Sequence, residues 1–343
     1  MRADRLLRAY RGEPVDVTPV WFMRQAGRCL SEYRAIRARA SLLEITRDPA
    51  LCAEVTVQPV DRLGVDAAIL FADITSPLPG IGVDLDIVDG VGPVIAQPVR
   101  SAADIDALPE AVDLGVVAGL LEAIALVRGR SPVPLIGFAG APFTMASYLV
   151  EGKSARDAIR VRALLAADPP AFDRLMARLV DLTIAYLTAQ VAAGVQAVQL
   201  FDSWVGALAP ETYAVAVAPH DRRLFAALEA LGVPVVHFGT GNAGFLPAFA
   251  ASGGSVLGLD WRVTMADGIR AAAGRPVQGN LDPALLLAGW DPVRRGALEV
   301  LASAAPAAGH VFNLGHGVLP ETDPDLLRRL VDLVHERSVE RAA

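Results

Sequence analysis

Eight short apolar runs, each followed by a stretch of helical pattern, recur along the chain and restrict it to a small set of α/β folds. They are 19–23 (PVWFM), 67–71 (AAILF), 133–138 (VPLIGF), 197–201 (AVQLF), 234–238 (PVVHF), 256–259 (VLGL), 276–279 (PVQG) and 311–314 (VFNL). Apolarity without alternation marks strands buried on both faces, as in a parallel sheet covered by helices. The helices carry their own punctuation. Asp48-Pro49 puts an N-cap before a proline at the first helical position, Pro59 predicts a kink, and Gly64 closes the segment. Asp168-Pro169 opens a helix whose Phe172, Leu175, Met176, Leu179 and Val180 repeat with helical period until Gly194. Asp323-Pro324 opens the last, with Leu326, Leu327, Leu330, Val331 and Val334 on one face. Eight such units in 343 residues predict a (β/α)8 TIM barrel forming a single domain over 1–343, with a doubly wound sheet as the alternative. Within the long 72–132 connection, 83–99 alternates weakly around Asp89-Gly90, which predicts a hairpin-like insertion after the second strand.

In a barrel the chemistry collects at the carboxyl ends of the strands. The first run ends at Arg24-Gln25-Ala26-Gly27-Arg28, two guanidiniums four positions apart with a glycine between them. Arginine keeps its charge at any working pH and grips carboxylates with two prongs. With Arg28 in a first helical turn, the spacing puts both on one face, and Gly27 lets a ligand approach the backbone. The other strand ends carry Asp73, Tyr148, Asp202-Ser203, Gly239-Thr240, Asp260, Asn280, and Asn313 with His316. Asp73 and Ser203 also suit helix caps, Asp260 and Asn280 suit capping or packing, and Tyr148 suits the core. His316 lies between Gly315 and Gly317, where side-chain packing explains it least.

Lysine and arginine number 31 against 38 acids, so an anionic substrate must be met by local arginines, and the acidic balance argues against nucleic acid as the main partner. Cys29 and Cys52 fit a reducing, cytoplasmic home without a C-x-x-C site. The uncharged stretches 131–150 and 182–201 are broken by proline, glycine or glutamine and do not read as membrane spans. The five histidines show no metal-ligand spacing, which predicts no metal. Gly239-Thr240-Gly241-Asn242-Ala243-Gly244 matches the dinucleotide fingerprint, but Pro247 and a short crossover oppose that reading.

The chain resembles the uroporphyrinogen decarboxylase family from end to end. The likeness runs through Arg11-Gly12-Glu13-Pro14, Pro19 to Arg28, Phe71-Ala72-Asp73-Ile74, Gly140-Ala141-Pro142-Phe143-Thr144 with Tyr148, and Phe201-Asp202-Ser203-Trp204. It continues through Gly258-Leu259-Asp260-Trp261, Gln278-Gly279-Asn280-Leu281-Asp282-Pro283 and Asn313-Leu314-Gly315-His316-Gly317. Cys29, Ser31 and Lys153 depart from the family's usual residues. The resemblance implies a (β/α)8 barrel working as a homodimer without metal or organic cofactor. It implies a cyclic tetrapyrrole substrate, uroporphyrinogen, whose four acetates are trimmed to methyls. Catalysis would fall to Asp73, Arg24, Arg28 and Tyr148. The substrate would be bound by Arg24, Gln25, Ala26, Gly27, Arg28, Asp73, Tyr148, Phe201, Ser203 and His316. Corrinoid-dependent methyltransferases share the superfamily but need a zinc-thiolate site that two isolated cysteines do not suggest.

Overall fold

A computed structural model describes residues 3–342. Its strands are β1 (Ala68–Ile69), β2 (Leu85–Val88), β3 (Gly92–Ile95), β4 (Leu135–Gly140), β5 (Ala197–Asp202), β6 (Val235–Gly239), β7 (Val256–Gly258), β8 (Val277–Gln278) and β9 (His310–Val311). Seven form one curled parallel sheet in the order β1-β4-β5-β6-β7-β8-β9, each parallel to its neighbour, with helices in the connections. The run 19–23 is not a strand of its own; Val20 makes only an isolated parallel bridge to Phe312. Its backbone nevertheless bonds both edges of the sheet. Phe312 N donates to Pro19 O (2.9 Å), and Asp66 N donates to Val20 O (2.7 Å). β2 and β3 pair antiparallel on their own, turning at Asp89-Gly90 with Gly90 at φ +77°.

The helices form where the caps put them. Asp48 accepts from Ala50 N and Leu51 N ahead of Pro49–Leu63, which contains Pro59 and ends at Gly64 with φ +74°. Asp168 accepts from Ala171 N to open Pro169–Ala193. That helix is long and apolar enough to cross a membrane, but half of its most apolar window is buried, and Phe172, Leu175, Met176 and Leu179 are all core. The core between sheet and helices is apolar, whereas the sheet's concave side carries a polar chain. Trp21 Nε1 donates to Gln278 Oε1 (3.0 Å), and Gln278 Nε2 donates to Gln199 Oε1 (2.9 Å). The chain ends at Gln199, whose buried Nε2 finds no partner among the described residues.

Candidate active site

The apolar run stops at Met23 because the backbone turns left-handed. Arg24 has φ +63°, Gly27 +94° and Arg28 +46°, and a helix begins only at Ser31. The first-turn placement of Arg28 is therefore corrected: both arginines sit in irregular backbone. A non-glycine in this region costs about 1–2 kcal/mol, which the surroundings must offset. Met23 N donates to Asn313 Oδ1 (3.1 Å), and Val318 N donates to Met23 O (2.8 Å). Gln25, fully buried, accepts from Phe22 N (2.9 Å) and donates to Ala67 O (2.8 Å). Its side chain straps the turn to the sheet. A Cβ at Gly27 would lie 3.3 Å from the rings of Phe71 and Tyr33, so the glycine makes room for aromatic packing. Ala26 is half-buried beside them.

Strain is tolerated here because it delivers two guanidiniums. Neither is ion-paired to a carboxylate among the described residues. Burial, and then the charge of Arg24, pull Arg28 down to about 10, so the two cations lie within reach of each other. Arg24 also explains one of the glycines around His316: a Cβ at Gly317 would fall 2.5 Å from Arg24 Cδ. A Cβ at Gly315 would fall 2.2 Å from Trp261 N. His316 is thus held between an arginine and a tryptophan, whose ring it meets edge-on at 5.8 Å.

Gly317 N donates to His316 Nδ1 (2.7 Å), which leaves the ring hydrogen on Nε2 as a donor. Burial, then Arg24 and Arg28, push its pKa down to about 4. Between that value and the ordinary 6.5 the unfolded ring holds a proton that the folded ring does not. Its contribution to stability is complete above pH 6.5 and is lost as pH falls toward 4, a difference of about 3 kcal/mol. His316→Asn is expected to flatten the acid loss of stability measured by urea unfolding at pH 7 and 4.5; an unchanged slope removes the effect. Asp202, raised to about 7 by burial, works in the opposite sense, so the variant must be compared with the parent.

Asp73 follows β1 and is half-buried. Its Oδ1 accepts from Thr75 N (2.8 Å) and Thr75 Oγ1 (2.6 Å), while Ser76 Oγ accepts from Asp73 N (3.1 Å). One carboxylate oxygen is therefore fixed, and Oδ2 has no protein partner among the described residues. Tyr148, on the helix Pro142–Glu151, lies in the field of both Asp73 and Arg24; burial and then Asp73 raise its phenol. Its ring meets Trp204 at 6.0 Å. Thr144 ties the two elements together by donating to Asp202 Oδ1 (2.6 Å) and accepting from Trp204 N (3.1 Å). Ser203 sits between those residues, its carbonyl accepting from Thr240 Oγ1 (2.6 Å). Phe201, half-buried, is the middle ring of an edge-packed row, meeting Phe138 (5.5 Å) on one side and Phe238 (5.9 Å) on the other.

The remaining strand ends organise loops. Buried Asp260 accepts from Gly241 N (2.7 Å) and from Arg262 Nη1 (2.6 Å), leaving nothing for a ribose. The helix after Gly239–Gly244 is only Leu246–Ala250. Asn280 donates to Asp260 O (3.0 Å) and Val263 O (2.7 Å). Cys29 and Cys52 are buried thiols; burial raises Cys29 and pushes Cys52 up to about 12.

Histidine spacing gives no sign of one cluster, because its members come from separate elements. Asp202, Asp221 and His237 bring ligand atoms within 4.8 Å of one another behind the sheet. Burial raises both carboxyls and lowers the imidazole, and Phe249 stacks on His237 at 3.6 Å. Thr144 Oγ1 donates to Asp202 (2.6 Å) and Tyr213 OH to Asp221 (2.9 Å), so burial disfavours charge on all three while hydroxyls serve the carboxyls. They are the described residues best placed to hold a metal, and Asp202 is joined to Trp204 through Thr144. The other groups that spacing does not reveal are Trp204, Trp261 and Arg262.

The sequence profile of the family described as "Uroporphyrinogen decarboxylase (URO-D)" matches residues 1–337. A uroporphyrinogen decarboxylase of Mycobacterium tuberculosis is 52% identical over 343 residues, covering 96% of each chain. One of Thermus thermophilus is 50% identical over 333 residues, covering 97% of this chain and 98% of its own. Among solved structures, a methyltransferase from Methanosarcina mazei superposes with a TM-score of 0.83 over 98% of both chains at 21% identity, a likeness of fold alone. With its motifs in the order of these relatives and its length matched almost throughout, the chain belongs to the uroporphyrinogen decarboxylase family.

Proposed function

We propose that the protein is a cofactor-independent carboxy-lyase that removes carbon dioxide stepwise from the four acetates of uroporphyrinogen III, giving coproporphyrinogen III in haem biosynthesis. The family carries the substrate. The observation that carries the chemistry is Asp73, one oxygen locked by Thr75 and the other without a protein partner among the described residues, with Tyr148 in the field of both Asp73 and Arg24. Each step replaces the C–COO⁻ bond by C–H with the uptake of one proton: the pyrrole takes a proton at a ring carbon, carbon dioxide leaves as its C–C electron pair forms an exocyclic methylene, and that methylene takes a second proton while the ring carbon gives up the first and the ring regains aromaticity. The pyrrole is the electron sink, so the protein must stabilise a cation. Asp73 Oδ2 does this by accepting pyrrole N–H bonds; preorganised charge of this kind contributes about 3 kcal/mol.

Arg24, Arg28 and the Nε2–H of His316 hold carboxylates on one side of the macrocycle. Tyr148 and Ser203 hold one on the other, Phe201 packs against the ring, and the Ala26 backbone borders it. The scaffold is a closed (β/α)8 barrel in one domain, with 19–21 as its one remaining stave and the 85–95 hairpin inserted after the second strand; the backbone bonds of Pro19 and Val20 to both sheet edges support the closure. It works as a cytoplasmic homodimer, which the resemblance and two unbridged thiols support.

Incubation with uroporphyrinogen in the absence of air, followed by chromatography of carboxylate number, tests the reading. Conversion through hepta-, hexa- and pentacarboxylates to the tetracarboxylate is expected; an unchanged octacarboxylate overturns it. Arg24→Ala is expected to raise the substrate KM by tenfold or more and to flatten its dependence on salt, because an exposed cation meeting an anion is screened. An identical salt slope in parent and variant removes Arg24 from carboxylate binding.

A further inference from the structure

The arginines at the end of the first run face only one side of His316. On its other side stands a third guanidinium. Arg262 lies over the Trp261 ring, 3.8 Å from the centroid, and that ring meets His316 edge-on. Its Nη1 is fixed by the buried carboxylate of Asp260 at 2.6 Å, and the same carboxylate holds Gly241 N and Arg262 N. The side chain is 49% exposed, and Nε and Nη2 have no acceptor among the described residues. A guanidinium stacked on one face and tied at one corner has lost most of its rotamer freedom before any ligand arrives. Its field reaches His316, as do those of Arg24 and Arg28.

We propose that Arg262 is a further substrate-binding residue of this site, presenting its free edge to a propionate carboxylate on the Trp261 side of His316. The inference rests on the decarboxylase reading above. Eight carboxylates enter with the substrate, and Arg24, Arg28, His316 and the Tyr148–Ser203 pair engage only some of them. Propionates suit Arg262 because they survive all four steps. A group at the rim that holds a propionate keeps the same contact for every intermediate, whereas one that holds an acetate loses it as trimming proceeds. Asp260 offsets much of the Arg262 charge, so the contact is a directed hydrogen-bond fork more than a net attraction.

The test compares parent, R262Q, R262M and R262K with the octa-, hepta-, hexa- and pentacarboxylate porphyrinogens. In R262Q and R262M, KM is expected to rise about tenfold for all four, with kcat within twofold of the parent and the inhibition constant of the tetracarboxylate product rising by the same factor. R262K is expected to recover part of the loss. Unfolding in urea identifies the folded variants, and an unchanged KM in either folded variant overturns the proposal. A rise confined to the octacarboxylate also overturns it, since that marks an acetate contact. If the parent turns over and the variants match it, only the role of Arg262 falls. If the parent leaves uroporphyrinogen untouched, the decarboxylase reading falls and this inference with it.

Discussion

Asp73→Asn is expected to bind uroporphyrinogen within tenfold of the parent and to lower turnover by a hundredfold or more. The carboxylate is locked by two donors on Oδ1, the backbone and the hydroxyl of Thr75, at 2.8 and 2.6 Å. An asparagine in the same socket must place its carbonyl oxygen there, which turns its NH2 toward the position of Oδ2. Where the parent offers an anion to pyrrole N–H groups, the variant offers a donor and no charge. The ground state is expected to feel this little, because in the proposed reading the substrate's carboxylates are held by Arg24, Arg28 and His316. The cationic state after ring protonation feels all of it. Loss of one preorganised contact of about 3 kcal/mol is a factor of a hundred or more in kcat. Single-turnover rates with equilibrium binding separate the two effects; a kcat within tenfold of the parent takes Asp73 out of the chemistry.

Much of this site is legible because strand ends in a buried parallel sheet are few, and polar residues placed there stand out. Asp73, Tyr148, Ser203 and His316 all appear after apolar runs. Helix starts are equally plain, since Asp48 and Asp168 announce their caps within three residues. What local pattern does not carry is the hand of the backbone. Arg24 and Arg28 adopt a left-handed conformation that their own preferences oppose, held by Asn313, which is nearly three hundred residues away. Gln25 is the same case: its polar character suggests a ligand, and only the neighbouring Ala67 carbonyl explains it. The glycines around His316 look in sequence like a lack of packing, yet they are there because Arg24 and Trp261 press against them. Asp202, Asp221 and His237 are invisible for a simpler reason, since two strands and a helix must assemble before they meet.

Asp66→Ala is expected to cost about 3–5 kcal/mol of stability, measured by urea unfolding. Its carboxylate is fully buried and serves three partners from distant parts of the chain. Oδ1 accepts from Arg5 Nη1 at 2.6 Å; Oδ2 accepts from Val20 N at 2.9 Å and pairs with His335 Nε2 at 2.7 Å. Removing one member of such a cluster leaves an arginine, 11% exposed, and a buried amide without their acceptor, and this orphaning is larger than the net worth of the bonds themselves. Arg5 keeps Asp16 at 2.8 Å, which limits the loss to the lower part of that range if the helix Arg5–Tyr10 adjusts. Asp66→Asn still accepts from Val20 N and is expected to lose only about 1–2 kcal/mol. A loss below about 1 kcal/mol for the alanine variant sinks the assignment. The consequence reaches the site, because Asp66 grips Val20 twice, by its side chain and by its own amide to Val20 O at 2.7 Å. Four residues later the same run delivers Arg24, so the clamp that joins the first run to the sheet also sets where the guanidinium proposed to meet the substrate's carboxylates stands.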